Sequence, residues 1–289
     1  MLKKRIVANL TIKDDVVVQS IGYKKYLPIG SVSVAVQFLN EWGIDEIIIS
    51  DISATIERKS PANDLFKSIS KKCFVPLTIG GGVRSIDQVH QLLHSGADKF
   101  FVNKFAIENP KFITEAAKIF GNQCVVVAID VSYKNDKPVI YNYESRECYS
   151  LDLFEWISEL VDRGAGEIMI NCVQRDGRYN GFDISLAKNI SDFVNIPVII
   201  CGGAGKPIHF YEILNNTNVS GAVAGNYFHF TEHSVITTKA YLLKKGLDIR
   251  LETFAKYNNI YINENNRLEK NEDAYLENLL YQRFVNEII

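Results

Sequence analysis

The sequence predicts an α/β protein of a single architecture: a (β/α)8 (TIM) barrel built from two half-barrel repeats, with a C-terminal helical extension. Three observations predict it. Short apolar, strand-like runs alternate with helix-like stretches, the strands number eight, and the second half of the barrel repeats the first. Such alternation specifies a parallel sheet covered by helices, and eight units close it into a barrel.

The predicted strands, in order, are residues 5–12 (RIVANLTI), 46–52 (EIIISDI), 75–81 (VPLTIGG) and 99–103 (KFFVN). They continue with 124–130 (CVVVAID), 167–173 (EIMINCV), 196–203 (IPVIICGG) and 221–225 (GAVAG). Several are apolar at consecutive positions, as strands buried on both faces are. Helical stretches fall between them at 32–43, 85–96 and 109–121. Gly43 and Gly96 close the first two, as C-cap glycines do, and Ser85 offers an N-cap.

The repeat has one offset. GIDEIIIS at 43–50 resembles GAGEIMIN at 164–171, 121 residues on. VPLTIGGGVR at 75–84 resembles IPVIICGGAG at 196–205, and 100–105 falls opposite 221–226, both at that same offset of 121. Three segments in one register imply two halves of four βα units each. Residues 1–252 hold the barrel, and 253–289 lie beyond it as an Asn- and charge-rich linker followed by an amphipathic helix. In that helix, predicted over 274–289, Leu276, Leu279, Leu280, Phe284 and Ile288 recur at helical spacing.

Composition narrows the function classes. The chain has 289 residues, 47% apolar and 23% charged, with a net charge of −2, which is ordinary for a globular domain. Lys3-Lys4-Arg5 is the one basic block, so nucleic acid is not an expected partner. The longest apolar run, 124–129, is too short to span a bilayer, and no signal-peptide core precedes Lys13-Asp14-Asp15. The five cysteines are odd in number and lack C-x-x-C spacing, as in a reduced, cytoplasmic protein. His90/His94 and His229/His233 are four apart, yet no carboxylate or cysteine joins either pair at ligand spacing. Neither a metal nor a cofactor is expected.

Chemistry-bearing residues gather at the predicted strand ends. Gly80-Gly81-Gly82 ends the third strand and Gly202-Gly203 the seventh; 21 residues after each lie Asn103-Lys104 and Ala224-Gly225. Glycines admit an anion close to backbone N–H groups before a helix, so the pair predicts two phosphate cradles facing each other. They could also be tight turns alone. The ligand that fits both cradles is long and phosphorylated at each end. Asp130 closes the fifth strand, where a carboxylate suits general acid–base work, or merely caps a loop. Its counterpart in the first half, about 119 residues earlier, is Thr11, a hydroxyl that is no base near neutral pH without activation. Asp176-Gly177 marks a tight turn whose Asp176 could hold a substrate hydroxyl. At the strand starts, Arg5, Glu46, Lys99 and Glu167 could form a charged ring, either a salt-bridged plug or a gate for a small polar molecule.

These motifs, with GIDEIIISDISA, GADK, ENP, VVVAID, RGAGEI, RDG, GGAGK, YFHF and KKGLDIRLE, resemble the HisF family, the cyclase subunit of imidazole glycerol phosphate synthase, over residues 1–252. The resemblance implies a barrel partnered by a HisH-like glutaminase whose ammonia passes through the core. Arg5, Glu46, Lys99 and Glu167 match the family's gate, and Asp98 matches a residue of the glutaminase interface. Gly81, Gly82, Asn103, Asp176, Gly177, Gly203, Ala224 and Gly225 match its phosphate sites. Thr11 stands where the family has an essential aspartate, Gln19 replaces a lysine that helps hold substrate, and Phe101, Lys104, Asn171 and Cys201 replace small hydroxyl residues. That pattern resembles HisF paralogues that, with a separate N-acetyl sugar amidotransferase, make acetamidino groups on nucleotide-linked surface sugars. The expected alternatives are the histidine-pathway cyclase itself and a scaffold that only activates its glutaminase.

Overall fold

In the computed structural model, residues 3–56, 63–230, 233–253, 255, 262–264 and 267–269 are described. Twelve strands are present among them: β1 (Arg5–Lys13), β2 (Val16–Ile21), β3 (Lys25–Ser31), β4 (Glu46–Asp51), β5 (Leu77–Gly80), β6 (Lys99–Val102), β7 (Val125–Lys134), β8 (Lys137–Asn142), β9 (Glu147–Cys148), β10 (Glu167–Cys172), β11 (Val198–Cys201) and β12 (Gly221–Ala224). Eight of these, β1, β4, β5, β6, β7, β10, β11 and β12, pair in parallel in that order, and β12 pairs back to β1. The barrel is therefore closed, as predicted.

The helices lie around it: α1 (Val32–Glu41), α2 (Ile52–Ile56), α3 (Asn63–Ser70), α4 (Ile86–His94), α5 (Lys104–Glu108), α6 (Lys111–Phe120), α7 (Leu153–Asp162), α8 (Ile184–Phe193), α9 (Pro207–Asn216), α10 (Asn226–Phe230) and α11 (Ser234–Lys244). Ser85 caps α4 as expected, its hydroxyl accepting from the Gln88 N–H. The stretch predicted as one helix at 109–121 begins at Lys111, preceded by the separate short α5. His229 and His233 do not share a helix face, because α10 ends at Phe230 and His233 adopts a left-handed backbone.

Two hairpins were not legible as elements. β2 and β3 follow β1, and β8 and β9 follow β7, each returning over the barrel's mouth before the next helix. The first turns on Asp14-Asp15 and the second on Asn135-Asp136, all four at positive φ. Two consecutive left-handed residues make the type I′ turn that suits the twist of paired strands, and Asp and Asn tolerate it best after glycine. These turns are 121 residues apart, like the rest of the repeat.

Register locates the exception to that offset. Thr11 lies opposite Ser50, and Asp130 lies opposite Asn171. Ser50 and Asn171 are 121 apart, whereas Thr11 and Asp130 are 119 apart. Between its mouth position and its hairpin turn, β7 thus carries two more residues than β1. Thr11 is the structural counterpart of Asp130.

Apolar residues fill two layers. The outer one lies between the strands and the helices, and the inner one is a collar inside the barrel that includes Val7, Ile48, Phe101, Val126, Met169 and Ile199. Beneath α11, Lys239 and Asp45 form a fully buried ion pair at 2.5 Å. Asp45 also accepts the Ile6 N–H at 2.8 Å, and Lys239 donates to the Arg250 carbonyl at 2.9 Å. Burial pushes Asp45 above the usual carboxylate range and Lys239 below the usual amine range, outweighing their mutual attraction. Within the stretch read as a linker, Ile262 and Leu268 form an antiparallel bridge, and Ile262 packs into the outer layer. The helix expected over 274–289 lies outside the described residues.

Candidate active site at the barrel mouth

Alternation along the barrel strands builds the site. Successive side chains point to opposite faces, so Arg5, Val7, Asn9 and Thr11 of β1 line the barrel's interior from one end to the other. Glu167, Met169 and Asn171 do the same on β10. The strands' C-terminal ends open into a mouth of two lobes. One is lined by Gly81, Gly82, Asn103 and Lys104, the other by Gly177, Gly202, Gly203, Ala224 and Gly225. Asn9, Thr11, Ser20, Asp176 and Cys201 line both.

The two glycine turns are congruent. Gly81 and Gly202 both have φ of +111°, and a Cβ there would stand 2.0 Å from the Asp51 carbonyl oxygen and 2.8 Å from that of Cys172. Asp51 and Cys172 are again 121 residues apart. Only glycine fits such close backbone approach at positive φ.

Asp130 stands at the inner end of the first lobe, nearly inaccessible to solvent. Its Oδ1 accepts from Asn171 Nδ2 at 2.8 Å and from the Tyr23 hydroxyl at 3.2 Å, and its Oδ2 from Asn103 Nδ2 at 2.8 Å. Burial raises its pKa, and these three donors oppose the rise. A carboxylate so placed can exchange protons nearer neutrality than an exposed aspartate.

Tyr23 was not anticipated from sequence. It rides the tip of the β2–β3 hairpin, which bends over the mouth and is tied there by Asp176 and Asn226. At the tip, Asp176 accepts from the Ser20 hydroxyl at 2.7 Å and the Tyr23 N–H at 3.3 Å, while its carbonyl accepts the Gly22 N–H at 3.2 Å. The hydroxyl that Asp176 holds is therefore Ser20's. The Ser20 backbone is held as well: Asn226 Oδ1 accepts the Ser20 N–H and its Nδ2 donates to the Ser20 carbonyl at 2.6 Å. Burial and the nearby Asp130 raise the Tyr23 pKa well above the tyrosine range, so the phenol remains a donor. The sequence signal was the Asp14-Asp15 turn, which delivers a strand back over the mouth.

Lys104, in the first cradle, forms ion pairs with Glu144 and, at 3.1 Å, with Glu108. Its hydrogen bond to Glu144, followed by Glu108, raises its pKa despite the opposing effect of burial. Cys201 is pushed up to about 12 by burial and the adjacent Asp176, and remains a thiol at neutral pH. Gln19, also near the mouth, donates to the Tyr179 hydroxyl at 3.0 Å.

At the opposite end the four charged residues meet as predicted. Arg5 bridges Glu46 at 2.5 Å and also binds Glu167; Lys99 bridges both carboxylates at 2.9 Å. Thr78 adds a hydroxyl donor to Glu46 at 3.0 Å. Burial opposes the charges on Arg5 and Lys99, but the two glutamates prevail and raise both pKa values. Glu167 is likewise lowered, the two cations overcoming its burial. The ring alternates in sign and closes on itself. Asp98 lies exposed beside it, with Oδ2 accepting the Leu77 N–H at 2.8 Å.

Among the described residues, no cluster of three or more His, Cys, Asp or Glu side chains is arranged to hold a metal ion. No helix there is long and apolar enough to cross a membrane.

A closed (β/α)8 barrel whose interior residues converge on a buried carboxylate at the strands' C-terminal ends places this chain among barrel proteins with a mouth-face site. Comparison with known proteins is more particular. The profile of the family described as "Histidine biosynthesis protein" matches residues 5–234. A relative named "Putative imidazole glycerol phosphate synthase subunit hisF2" in Vibrio vulnificus is 40% identical, covering 90% of this chain and 95% of its own. "Imidazole glycerol phosphate synthase subunit HisF" of Thermococcus onnurineus is 39% identical over 87% of this chain and 99% of its own, and that of Pyrococcus furiosus 39% over 87% and 100%. The chain belongs to the histidine biosynthesis protein family, in its HisF branch.

Proposed function

We propose that this chain is the HisF-type synthase subunit of a glutamine amidotransferase. A HisH-like glutaminase docks on the face that carries Asp98, and its ammonia crosses the charged ring and the apolar collar to reach Asp130. The observation that carries this reading is the closed Arg5–Glu46–Lys99–Glu167 ring on the axis that leads to Asp130. A phosphorylated small molecule, bound across the two glycine cradles or one of them, receives the nitrogen at the mouth.

The finer reading is that the nitrogen serves acetamidino modification of a nucleotide-linked surface sugar, with an N-acetyl sugar amidotransferase as a further partner. Thr11 at the register position of Asp130 favours it, as does the Tyr23 hydroxyl seated on the remaining carboxylate. The second reading is the cyclase step of histidine biosynthesis, favoured by the printed names of the relatives and by the congruent pair of cradles. Expression in a cyclase-deficient histidine auxotroph separates them. No growth is expected without histidine, and growth overturns the sugar reading.

Tyr23 offers a test of the closed hairpin. Its hydrogen bond favours the ionised form of Asp130. In Tyr23→Phe that support is gone, so the acid limb of the turnover–pH profile moves to higher pH. An unmoved limb would mean that the hairpin stands away from Asp130 during turnover.

A further inference from the structure

Asn171 is buried, and one of its two polar atoms has no partner. Its Nδ2 donates to Asp130 Oδ1 at 2.8 Å, while its Oδ1, out of solvent, accepts from nothing. The amide cannot relieve this by flipping. A carboxylate only accepts, so turning Oδ1 toward Asp130 would set two acceptors against each other. Asp130 thus fixes Asn171 with its Oδ1 turned away from the carboxylate, in a residue that lines the inner end of the first lobe. A buried acceptor without a donor is costly unless a ligand supplies one.

The position of that acceptor names the donor. Glu167, Met169 and Asn171 follow one another along the inner face of β10, so the residue passes directly from charged ring to apolar collar to mouth. Whatever crosses the collar beside Met169 comes next to the level of Asn171, which is in register with Asp130. We infer that the Asn171 Oδ1 is the receiving site for ammonia at the inner end of the mouth, an inference that rests on the proposed ammonia route. Ammonia has three N–H donors and one lone pair. An amide oxygen takes an N–H and leaves the lone pair free to attack. A bare carboxylate in its place would favour the ammonium ion, which has no lone pair. Asp130 is screened from that role because its oxygens already accept from Asn171, Tyr23 and Asn103. Asn171 is accordingly a positioning residue for the nucleophile.

Two measurements test this. Crystals of the protein soaked in methylamine, whose carbon distinguishes it from water, should show its nitrogen within hydrogen-bond distance of Asn171 Oδ1, and no such density in Asn171→Leu. A water at that oxygen, undisturbed at saturating methylamine, overturns the inference. With ammonium chloride as nitrogen source, Asn171→Ala should raise KM for ammonia by about tenfold, the worth of one hydrogen bond. A loss confined to kcat, with KM for ammonia unmoved, also overturns it. Absence of any ammonia-dependent turnover in the unaltered protein instead defeats the proposed function, and the methylamine structure still decides the site.

Discussion

Replacing Asp130 with asparagine is expected to lower ammonia-dependent turnover by about 10² to 10⁴, the usual worth of a positioned general acid–base group. Neither neighbouring aspartate can stand in for it. Asp176 is committed to the hairpin through Ser20 and Tyr23, and Asp51 accepts the Ser53 and Ala54 N–H groups at the start of α2. Thr11, the register counterpart, has a hydroxyl without a base to activate it. The substitution also turns an anion that accepts three donors into an amide, so one side of the new residue presents N–H to N–H. The assay is turnover with ammonium chloride, then with glutamine and the proposed HisH-like glutaminase, whose glutamine hydrolysis serves as the internal control. Unchanged turnover in both would mean that the barrel only delivers ammonia and does no chemistry at its mouth.

Lys239→Met should cost about 3–5 kcal/mol of stability, because it strands the Asp45 carboxylate in a site without solvent. At about 2–4 °C per kcal/mol for a chain of this size, the melting temperature falls by roughly 10 °C. The pair itself is not a strong source of stability. Burial drives both partners toward their neutral forms, so what the pair provides is compensation for two buried charges. The sign with pH follows. Asp45 has a raised pKa in the folded chain, so the variant loses most stability where that carboxylate must ionise, and less in acid where it is protonated. Thermal melts at acidic and neutral pH check this. The double variant Asp45→Asn with Lys239→Met should recover most of the loss, and equal damage in both variants would refute the account.

Much of this was open to reading from the chain alone, for identifiable reasons. Strands buried on both faces are short apolar runs, and those runs carried the barrel. Duplication left a constant offset of 121 residues, which paired Gly81 with Gly202 and Glu46 with Glu167 before any coordinates. The charged ring was legible because all four members sit at strand starts. The hairpins were not, since β2, β3 and β8 have neither uniform apolarity nor strict alternation, and the turns that lead into β2 and β8 use aspartate and asparagine in place of glycine. Tyr23 followed them out of view.

By itself, then, the sequence determined the closed barrel, its twofold repeat, the two glycine turns and a threonine, not a carboxylate, at the repeat position of Asp130. Each is a local or periodic property, set by side-chain alternation, glycine backbone freedom or identity at a repeat position. Tertiary structure alone decided what surrounds Asp130. Tyr23, Asn103 and Asn171 come from segments 107, 27 and 41 residues away from it and meet only when the barrel closes and the hairpin folds over. A hydrogen bond requires two groups within about 3 Å, and no local pattern in a chain specifies which distant donor will arrive.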